Sequence, residues 1–295
     1  MSLNDQIKIV WVGPSGRSWH LAGPGRGAEG VMLLSDPKAL FFPPHQLLFD
    51  EGARQDGATF RRSVTDKKET DFNISIGNQA GLHIRDMRHW QQVHDLWWRD
   101  WSEDVPGHMC VWTRSKGWRK EPMHLGDAPE PQSGMDPSVN LNEIYTMSAV
   151  GADPFWSSLE RYVSWLNSTG ANEGVLRMRN DGSRKAWPRY TLKGPGRWFI
   201  EDPQADPEGD LRLVTLPPID AGDTIRIDTH PRHRTARLYN AGGEYIRNVW
   251  AQMAGRRWLR AMEPWGTTEI TVRIEGGDLT SEAIGTLTPL NARPM

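Results

Sequence analysis

The second half of the chain carries the strongest constraint on the fold, because short strand-like runs recur there with turn residues between them. The runs are GVLRMRN, RYTLKG, RWFIED, LRLVTL, TIRIDT, TARLYN, RWLRAM and TEITVRIEG. Turns are marked by NDG at 180–182, GPG at 194–196 and GG at 242–243. The best helix candidate in this half, residues 153–166, is short. Short strands at this spacing predict an antiparallel β-sandwich.

The first half combines strand-like runs with one helix. The apolar runs at 7–12 and 30–34 predict strands, and the β-rich segment 57–77 predicts a hairpin with DKKE at its turn. Further strand-like runs lie at 108–114 and 143–150. These elements predict a second domain that is also mainly β.

The clearest helix pattern lies at residues 85–101, RDMRHWQQVHDLWWRDW. Its apolar stripe comprises Met87, Trp90, His94, Trp97 and Trp101, widened by Val93 and Trp98. A stripe of this kind more often packs on its own sheet than on another subunit. Because six tryptophans lie between 90 and 118, we expect one or two of them to contact a neighbouring subunit.

The length of 295 residues is sufficient for two domains. Segment 126–139 is rich in proline, glycine and acidic residues and predicts a loop or linker. We expect an N-terminal domain at 1–152 and a C-terminal domain at 153–295. Membership of the last strands, from residue 268 onward, is open between the two domains.

Tryptophan and arginine are abundant: the chain has 15 tryptophans, and 27 of its 35 basic residues are arginines. Tryptophan is enriched in interface hot spots, and arginine forms planar, bidentate ion pairs. Both observations suit a protein with many contacts. They also have plainer explanations, which are a core short of leucine and valine and a bias in nucleotide composition.

Charge and cysteine content exclude several classes of protein. The net charge of −2 argues against duplex DNA or sequence-specific nucleic acid as a partner. The single cysteine, Cys110, permits no intramolecular disulfide, and its strand-like surroundings favour a structural thiol over a nucleophile. With neither a signal-peptide pattern nor an apolar stretch of about 18 residues, we expect a soluble protein made in a cytoplasm, without membrane insertion.

The spacing Gly25-x-Gly27-x-x-Gly30 matches the dinucleotide-binding fingerprint, but its context does not. The fingerprint requires a helix after the last glycine, because the pyrophosphate rests on the helix N-terminus. Pro37 leaves room for at most two helical turns. Gly-Pro-Gly-Arg occurs here and again at 194–197, and both copies predict tight turns. We therefore expect no cofactor.

Metal-binding patterns are weak. His89 and His94 are five residues apart and do not share one face of a helix. Asp228, His230 and His233 form a candidate surface metal site, although the proline between the two histidines favours a polar loop. We predict no metal ligand.

Catalytic patterns are equally weak. Acidic residues that could flank a glycosidic bond occur as Glu201 with Asp202 and as Asp206, Glu208 and Asp210. They lie in a turn-rich acidic segment, and the chain has no Gly-x-Ser-x-Gly elbow. We predict no catalytic residue and a protein that is not an enzyme.

Six segments together resemble a known family. In order, they are WHLAGPGRGAEGVML, ARQDGATFRRSVTDKKETDFNISIG, GADPFW, WPRYTLKGPGRWFIEDP, LPPIDAGDTIRIDTHPRHRT and RRWLRAMEPWGTTEITVRIEGGD. They resemble minor tail proteins of siphophages that infect actinobacteria, and more specifically the distal tail (Dit) class. The resemblance extends from about residue 8 to 280 and is stronger in the second half.

This resemblance implies an N-terminal tail-tube-like β-sandwich with one flanking helix and a C-terminal galectin-like β-sandwich. It further implies a structural virion protein whose six copies form a ring at the distal end of the phage tail. The ring would join the tail tube protein to the tail-tip or baseplate hub protein and keep the channel open for the tape measure protein and DNA. Synthesis would take place in the cytoplasm of the host bacterium.

Candidate subunit-interface residues are Arg26, Trp97, Trp98, Trp101 and Arg197. The C-terminal domain is expected to be a spacer or docking platform, with a host cell-surface glycan as an additional candidate partner, since RWFIE and THPRHR supply aromatic and polar side chains. A fold alone does not carry such a function. The alternative is a carbohydrate-binding or carbohydrate-active β-sandwich module that acts on host cell-envelope glycans outside a virion.

Overall fold

The computed structural model describes residues 6–34, 37, 40–52, 56–77, 84–132, 134, 136–203 and 212–295, and the chain forms two compact units. Unit 1 comprises Met1–Ser157 and Asn291–Met295, and unit 2 comprises Ser158–Leu290. The end of the chain thus returns to unit 1, where the Asn291 side-chain amide donates to the Trp156 carbonyl at 3.3 Å.

Unit 1 is mainly antiparallel sheet. Its strands are β1 (Lys8–Val12), β2 (Ser18–Ala22), β3 (Val31–Leu33), β4 (His45–Asp50), β5 (Thr59–Thr65), β6 (Lys68–Gly77), β7 (Gly107–Thr113), β8 (Gly117–Leu125), β9 (Glu130–Pro131), β10 (Asn142–Gly151) and β11 (Trp156–Ser157). Its helices are α1 (Met87–Arg99) and the four-residue α2 (Pro137–Asn140). The main sheet has the order β2-β1-β7-β8-β10-β6-β3, with β9 paired to β10 and β11 to β8.

The predicted helix is confirmed as α1, which begins and ends two residues inside the predicted bounds. Asp86 caps its N-terminus, because the Asp86 carboxylate accepts a hydrogen bond from the His89 backbone N–H at 2.8 Å. Trp90, Val93 and Trp97 are buried against the sheet. The Trp90 indole N–H also donates to the Ile76 carbonyl at 3.0 Å, which ties α1 to β6.

The hairpin predicted over 57–77 is wrong, although both of its halves are strands. β5 pairs with β4 in a separate two-stranded sheet, whereas β6 pairs with β10 and β3 in the main sheet. The alternation of the two runs was correctly detected, but pairing depends on distant residues that alternation does not specify. We call the β4–β5 hairpin the arm.

Unit 2 consists of strands that form two facing sheets. They are β12 (Arg161–Leu166), β13 (Glu173–Asn180), β14 (Arg189–Lys193), β15 (Arg197–Glu201), β16 (Leu213–Thr215), β17 (Thr224–Asp228), β18 (Thr235–Tyr239), β19 (Tyr245–Asn248), β20 (Gly266–Glu275) and β21 (Glu282–Leu287). The short strand β22 (Leu290–Asn291) lies where the chain returns to unit 1, and it pairs with β11 of that unit. The six-stranded sheet has the order β12-β21-β14-β17-β18-β19, and the four-stranded sheet has the order β13-β20-β15-β16.

A single hydrophobic core joins the two sheets of unit 2. Alternate residues of each strand enter it: Ile225 and Ile227 of β17 are buried, whereas Arg226 between them is exposed. Trp198 and Trp258 are its largest fully buried side chains, together with Tyr190. The strand period of two therefore separates a core face from a polar face on the same sheet.

Two segments of the second half differ from prediction. Residues 153–166, the best helix candidate, contain strands β11 and β12 instead. The run RWLRAM at 257–262 forms no strand; its only ladder contact among the described residues is an isolated bridge between Met262 and Ala186. Trp258 and Met262 are nevertheless fully buried, so the alternation reflects packing without a ladder.

The predicted fold class is confirmed. Antiparallel sheets dominate both units, and α1 is the one long helix in the described part of the chain. None of the helices formed by the described residues has the length and apolar character needed to cross a bilayer.

Candidate assembly surfaces

Two of the predicted interface tryptophans lie in the core of unit 1. Trp97 is 0% exposed and Trp101 is 5% exposed. Trp101 stacks on Trp11 with ring centroids 3.8 Å apart, and Trp97 meets Trp19 edge to face at 5.3 Å. These two side chains have almost no surface left for a neighbouring subunit, because their own sheet already covers them.

Asp100, which follows α1 directly, fixes this tryptophan cluster. Its carboxylate accepts a hydrogen bond from the Trp19 indole N–H at 2.7 Å, and its backbone carbonyl accepts one from the Trp11 indole N–H at 3.0 Å. A side chain at Gly13 would place its Cβ 2.3 Å from the Asp100 Cβ. The end of α1 is therefore held against β1 and β2 by hydrogen bonds and by close packing.

Trp98 is the member of the predicted set on α1 that keeps accessible surface. Its indole N–H donates to His94 Nε2 at 2.9 Å, and its ring packs edge to face on Tyr145 at 5.1 Å. Burial lowers the pKa of His94, which keeps the ring neutral and leaves Nε2 able to accept this hydrogen bond. The half-buried Trp98 is thus held in a fixed orientation.

The two Gly-Pro-Gly-Arg segments lie in different units. Gly25 and Gly27 have φ values of 84° and 78°, which only glycine adopts without strain. Gly30 is followed by strand β3 and not by a helix, so the helix N-terminus that would receive a pyrophosphate does not form there. The exposed Arg26 donates from Nη2 to the Leu33 carbonyl at 2.8 Å, and Arg197 is exposed at the start of β15.

Among the described residues of unit 1, the arm carries the largest group of exposed apolar side chains, and no sequence pattern indicated it as a surface. Leu47, Phe49 and Phe60 are 51%, 48% and 56% exposed. Phe49 and Phe60 contact each other across the two strands, with ring centroids 5.8 Å apart. A two-stranded sheet is only marginally stable in water by itself. The sequence feature that could have indicated this surface is the apolar cluster LLF at 47–49, which belongs to no predicted strand or helix.

The acidic residues considered for glycoside hydrolysis bind backbone amides instead. Glu201 accepts from the Thr271 N–H at 2.7 Å, and Asp202 accepts from the Leu259 N–H at 2.9 Å. Burial raises the pKa of Asp202. Asp206, Glu208 and Asp210 lie outside the described residues. The two described carboxylates therefore stabilise unit 2 through hydrogen bonds to backbone N–H groups.

The candidate metal and thiol residues have local structural roles. No cluster of three histidine, cysteine, aspartate or glutamate side chains suited to a metal ion occurs within the described ranges. Asp228 accepts a hydrogen bond from the His230 backbone N–H at 2.9 Å, and the rings of His230 and His233 stack at 5.3 Å. Burial raises the pKa of Cys110 to about 11, so its thiol stays protonated at neutral pH.

Comparison with known proteins gives one relative in sequence. No protein-family model matches the chain. The minor tail protein Gp27 of Mycobacterium phage D29 is 26% identical over 144 residues, which cover 48% of this chain and 42% of that protein. The matched part therefore spans less than half the length of the relative.

Solved structures match nearly the whole chain. The Dit protein of phage SPP1, a paradigm of the hub adsorption apparatus in phages that infect Gram-positive bacteria, superimposes with a TM-score of 0.61 at 9% identity over 97% of this chain and 99% of its own. A chain of the phage P2 baseplate, in its activated conformation with calcium, superimposes with a TM-score of 0.55 at 11% identity over 95% of this chain and 98% of its own. The predicted resemblance is thereby confirmed: this chain is similar in sequence to a mycobacteriophage minor tail protein and has the fold of a phage distal tail protein.

Proposed function

We propose that this chain is a structural distal tail protein of a long-tailed phage, and that its copies assemble into a ring between the tail tube and the tail-tip hub. Similarity to a minor tail protein and to the Dit fold supports a place in the tail. The proposed role includes no catalytic step. The alternative of a separate carbohydrate-active module is not favoured, since the similar proteins are tail and baseplate components.

The observation that carries the assembly proposal is the arm. Its two strands expose Leu47, Leu48, Phe49, Phe60 and Val64. An exposed apolar patch on a strand pair marks a protein contact site, because water solvates such a surface poorly. A second copy of the same chain is the proposed occupant, since a ring repeats one contact between identical subunits.

The remaining features have roles that follow from this assignment. We assign ring formation to the N-terminal part, residues 1–152, and a spacer or docking role to residues 153–295. Six copies are expected from the family resemblance, with the tail tube, hub and tape measure proteins as partners. The virion location at the distal end of the tail and synthesis in the host cytoplasm belong to the same proposal.

The interface candidates narrow to those with accessible surface. Trp98, Arg26 and Arg197 stay predictions. Trp97 and Trp101 are set aside because the core of unit 1 covers them. The aromatic residues of the arm, Phe49 and Phe60, join the set.

Assembly of the purified full-length protein tests the proposal. We expect light scattering coupled to size-exclusion chromatography to show a concentration-dependent oligomer and electron microscopy to show rings. Replacing Phe60 by serine should lower the oligomer fraction strongly, because it removes an apolar contact from the arm. The matched control is Trp265→Ser, which changes an exposed aromatic side chain of unit 2.

Two outcomes would count against the proposal. A wild-type protein that stays monomeric at high concentration, together with tails that contain no ring of this protein, would exclude ring assembly. If Phe60→Ser and Trp265→Ser weakened assembly equally, the arm would lose its assigned role.

A further inference from the structure

The outer face of the six-stranded sheet in unit 2 carries a groove of about 460 Å³. Strands β14, β17 and β18 form its floor, and their inward-pointing neighbours, such as Ile225 and Leu238, fill the core. Polar side chains, chiefly arginines and threonines, line it. The groove is therefore open to water, and each of its three floor strands is paired on both sides.

Two of the arginines that line the groove lie opposite each other on neighbouring strands. The register of β17 and β18 places Arg226 directly opposite Arg237, and both are exposed. Like charges directly opposite on neighbouring strands repel each other and destabilise the sheet. Neither guanidinium forms an ion pair or a side-chain hydrogen bond with any residue that the structure describes. Within the described residues, the pair thus holds two positive charges that no carboxylate contacts directly.

Other basic residues of the same sheet face are neutralised. Arg189 forms an ion pair with Glu160, and Lys193 forms one with Glu282 at 2.6 Å. The remaining acidic residue that lines the groove, Asp228, accepts a hydrogen bond from the His230 N–H. The contrast singles out Arg226 and Arg237 as the charges available to a ligand.

Arg226 is also held in place. Its guanidinium lies over the Tyr239 ring, 4.5 Å from the centroid, and Tyr239 in turn contacts the exposed Tyr245 edge to face at 5.9 Å. Stacking on an aromatic ring restricts the planar fork of an arginine, so less conformational entropy is lost when an acidic group binds. A fixed guanidinium is suited to bidentate recognition of a carboxylate.

We propose that this groove binds an acidic saccharide, with Arg226 and Arg237 on its carboxylate. Thr191, Thr235 and Thr286 line the same groove with hydroxyl groups that both donate and accept hydrogen bonds, as sugar hydroxyls do. A peptide fits less well. β14 and β17 are paired on both sides, so neither offers an open edge for strand addition, and most of the residues that line the groove are polar or charged.

Calorimetric titration of the full-length protein with hexagalacturonate tests the site. We expect saturable binding, with maltohexaose, a neutral hexasaccharide, binding at least about tenfold more weakly because it leaves the two arginines unpaired. Arg226→Gln and Arg237→Gln should each weaken hexagalacturonate binding by about tenfold or more. Arg177→Gln is the matched control, since Arg177 is an exposed strand arginine of the other sheet and pairs with Glu269; it should leave binding unchanged.

Several results would overturn the proposal. These are no binding of hexagalacturonate, equal binding of maltohexaose, or binding that survives both arginine variants. Hexaglutamate binding as tightly as the saccharide would assign the groove to an acidic peptide, and inorganic phosphate binding as tightly would make it a plain anion site. Thermal unfolding of each variant checks its fold. The titration does not depend on ring assembly, so its failure leaves the proposed tail function standing, and a failure of assembly leaves this site standing.

Discussion

Two groups of aromatic side chains in unit 1 differ in what covers them. The tryptophans that follow the stripe of α1 are buried against β1 and β2, and Asp100 binds two of their partners through hydrogen bonds. Phe49 and Phe60 on the arm contact each other edge to face and stay about half exposed. Aromatic residues in the sequence therefore indicate apolar surface that will be buried. They do not indicate whether the same chain or a neighbouring subunit buries it.

The difference has a simple physical origin. α1 places its apolar stripe on a sheet that is already wide, so Trp90, Val93 and Trp97 are buried within unit 1. The arm has two strands, and in the described part of unit 1 almost every residue of both strands is exposed. Under the proposed function, a neighbouring copy covers these exposed residues.

The buried group should dominate the stability of unit 1. Trp97→Ala is expected to lower the free energy of unfolding by about 3–5 kcal/mol, because it removes a large, fully buried ring and leaves a cavity. Urea unfolding followed by circular dichroism would measure the loss. Trp98→Ala is the control, and it should cost clearly less because the Trp98 ring is only partly buried. Equal losses of unfolding free energy for the two variants would contradict the assignment of Trp97 to the core and Trp98 to its edge.

A buried ion pair provides a second test of how completely the core of unit 1 excludes water. Lys68 and Glu121 are both 0% exposed, and the Lys68 ammonium donates to the Glu121 carboxylate at 2.5 Å and to the Leu40 carbonyl at 3.0 Å. The other carboxylate oxygen of Glu121 has no hydrogen-bond partner among the described residues. Burial raises the pKa of Glu121 to about 7 and lowers the pKa of Lys68.

The sign of the pH dependence follows from the Glu121 shift. Between the usual pKa of 4.5 and about 7, the folded protein holds more protons on Glu121 than the unfolded chain does. The free energy of unfolding should therefore fall as pH rises through this range, by about 3 kcal/mol at most. Lys68 acts in the opposite sense at higher pH, between its lowered pKa and 10.5.

Urea unfolding at several pH values between 4.5 and 7 would measure this slope. In Glu121→Gln the contribution should vanish, since the amide does not titrate. The variant should lose most stability relative to the wild type above about pH 7, where Glu121 is ionised and its replacement leaves Lys68 without a counter-charge. Glu69→Gln, which changes an exposed partner of the exposed Lys67, should keep the wild-type slope. An unchanged slope in Glu121→Gln would show that this carboxylate is not the group that titrates.

Hydrophobic periodicity correctly predicted the elements whose pattern lies within a short stretch of sequence. The stripe of α1 and the strand runs from β13 to β18 carry their pattern within a few consecutive residues, and all of them form as predicted. Periodicity could not predict strand pairing. β5 and β6 have similar alternation, and the pairing of β5 with β4 depends on residues elsewhere in the chain. Arg226 and Arg237 are likewise brought together by register, which no spacing in the sequence encodes.

The sequence could not rank the interface candidates by exposure, for a related reason. Trp97 and Trp98 are adjacent in one apolar stripe, and about 100° of helical rotation separates a fully buried ring from a partly exposed one. An apolar stripe shows which of its residues face the sheet only when the position of that sheet is known. The sequence therefore identified the correct helix without distinguishing which of its tryptophans keep a surface.

The smallest expected effect on stability is at the arm. Phe60→Ser should change the free energy of unfolding of the dilute monomer by no more than about 0.5 kcal/mol, because a ring that is 56% exposed leaves little apolar area to lose. Urea unfolding at a concentration below assembly would measure it. The same variant is expected to lose assembly. Replacement of this one residue would then affect assembly strongly and monomer stability hardly at all. A loss close to that of Trp97→Ala would mean that the arm packs on its own unit, and the contrast between the two aromatic groups would then disappear.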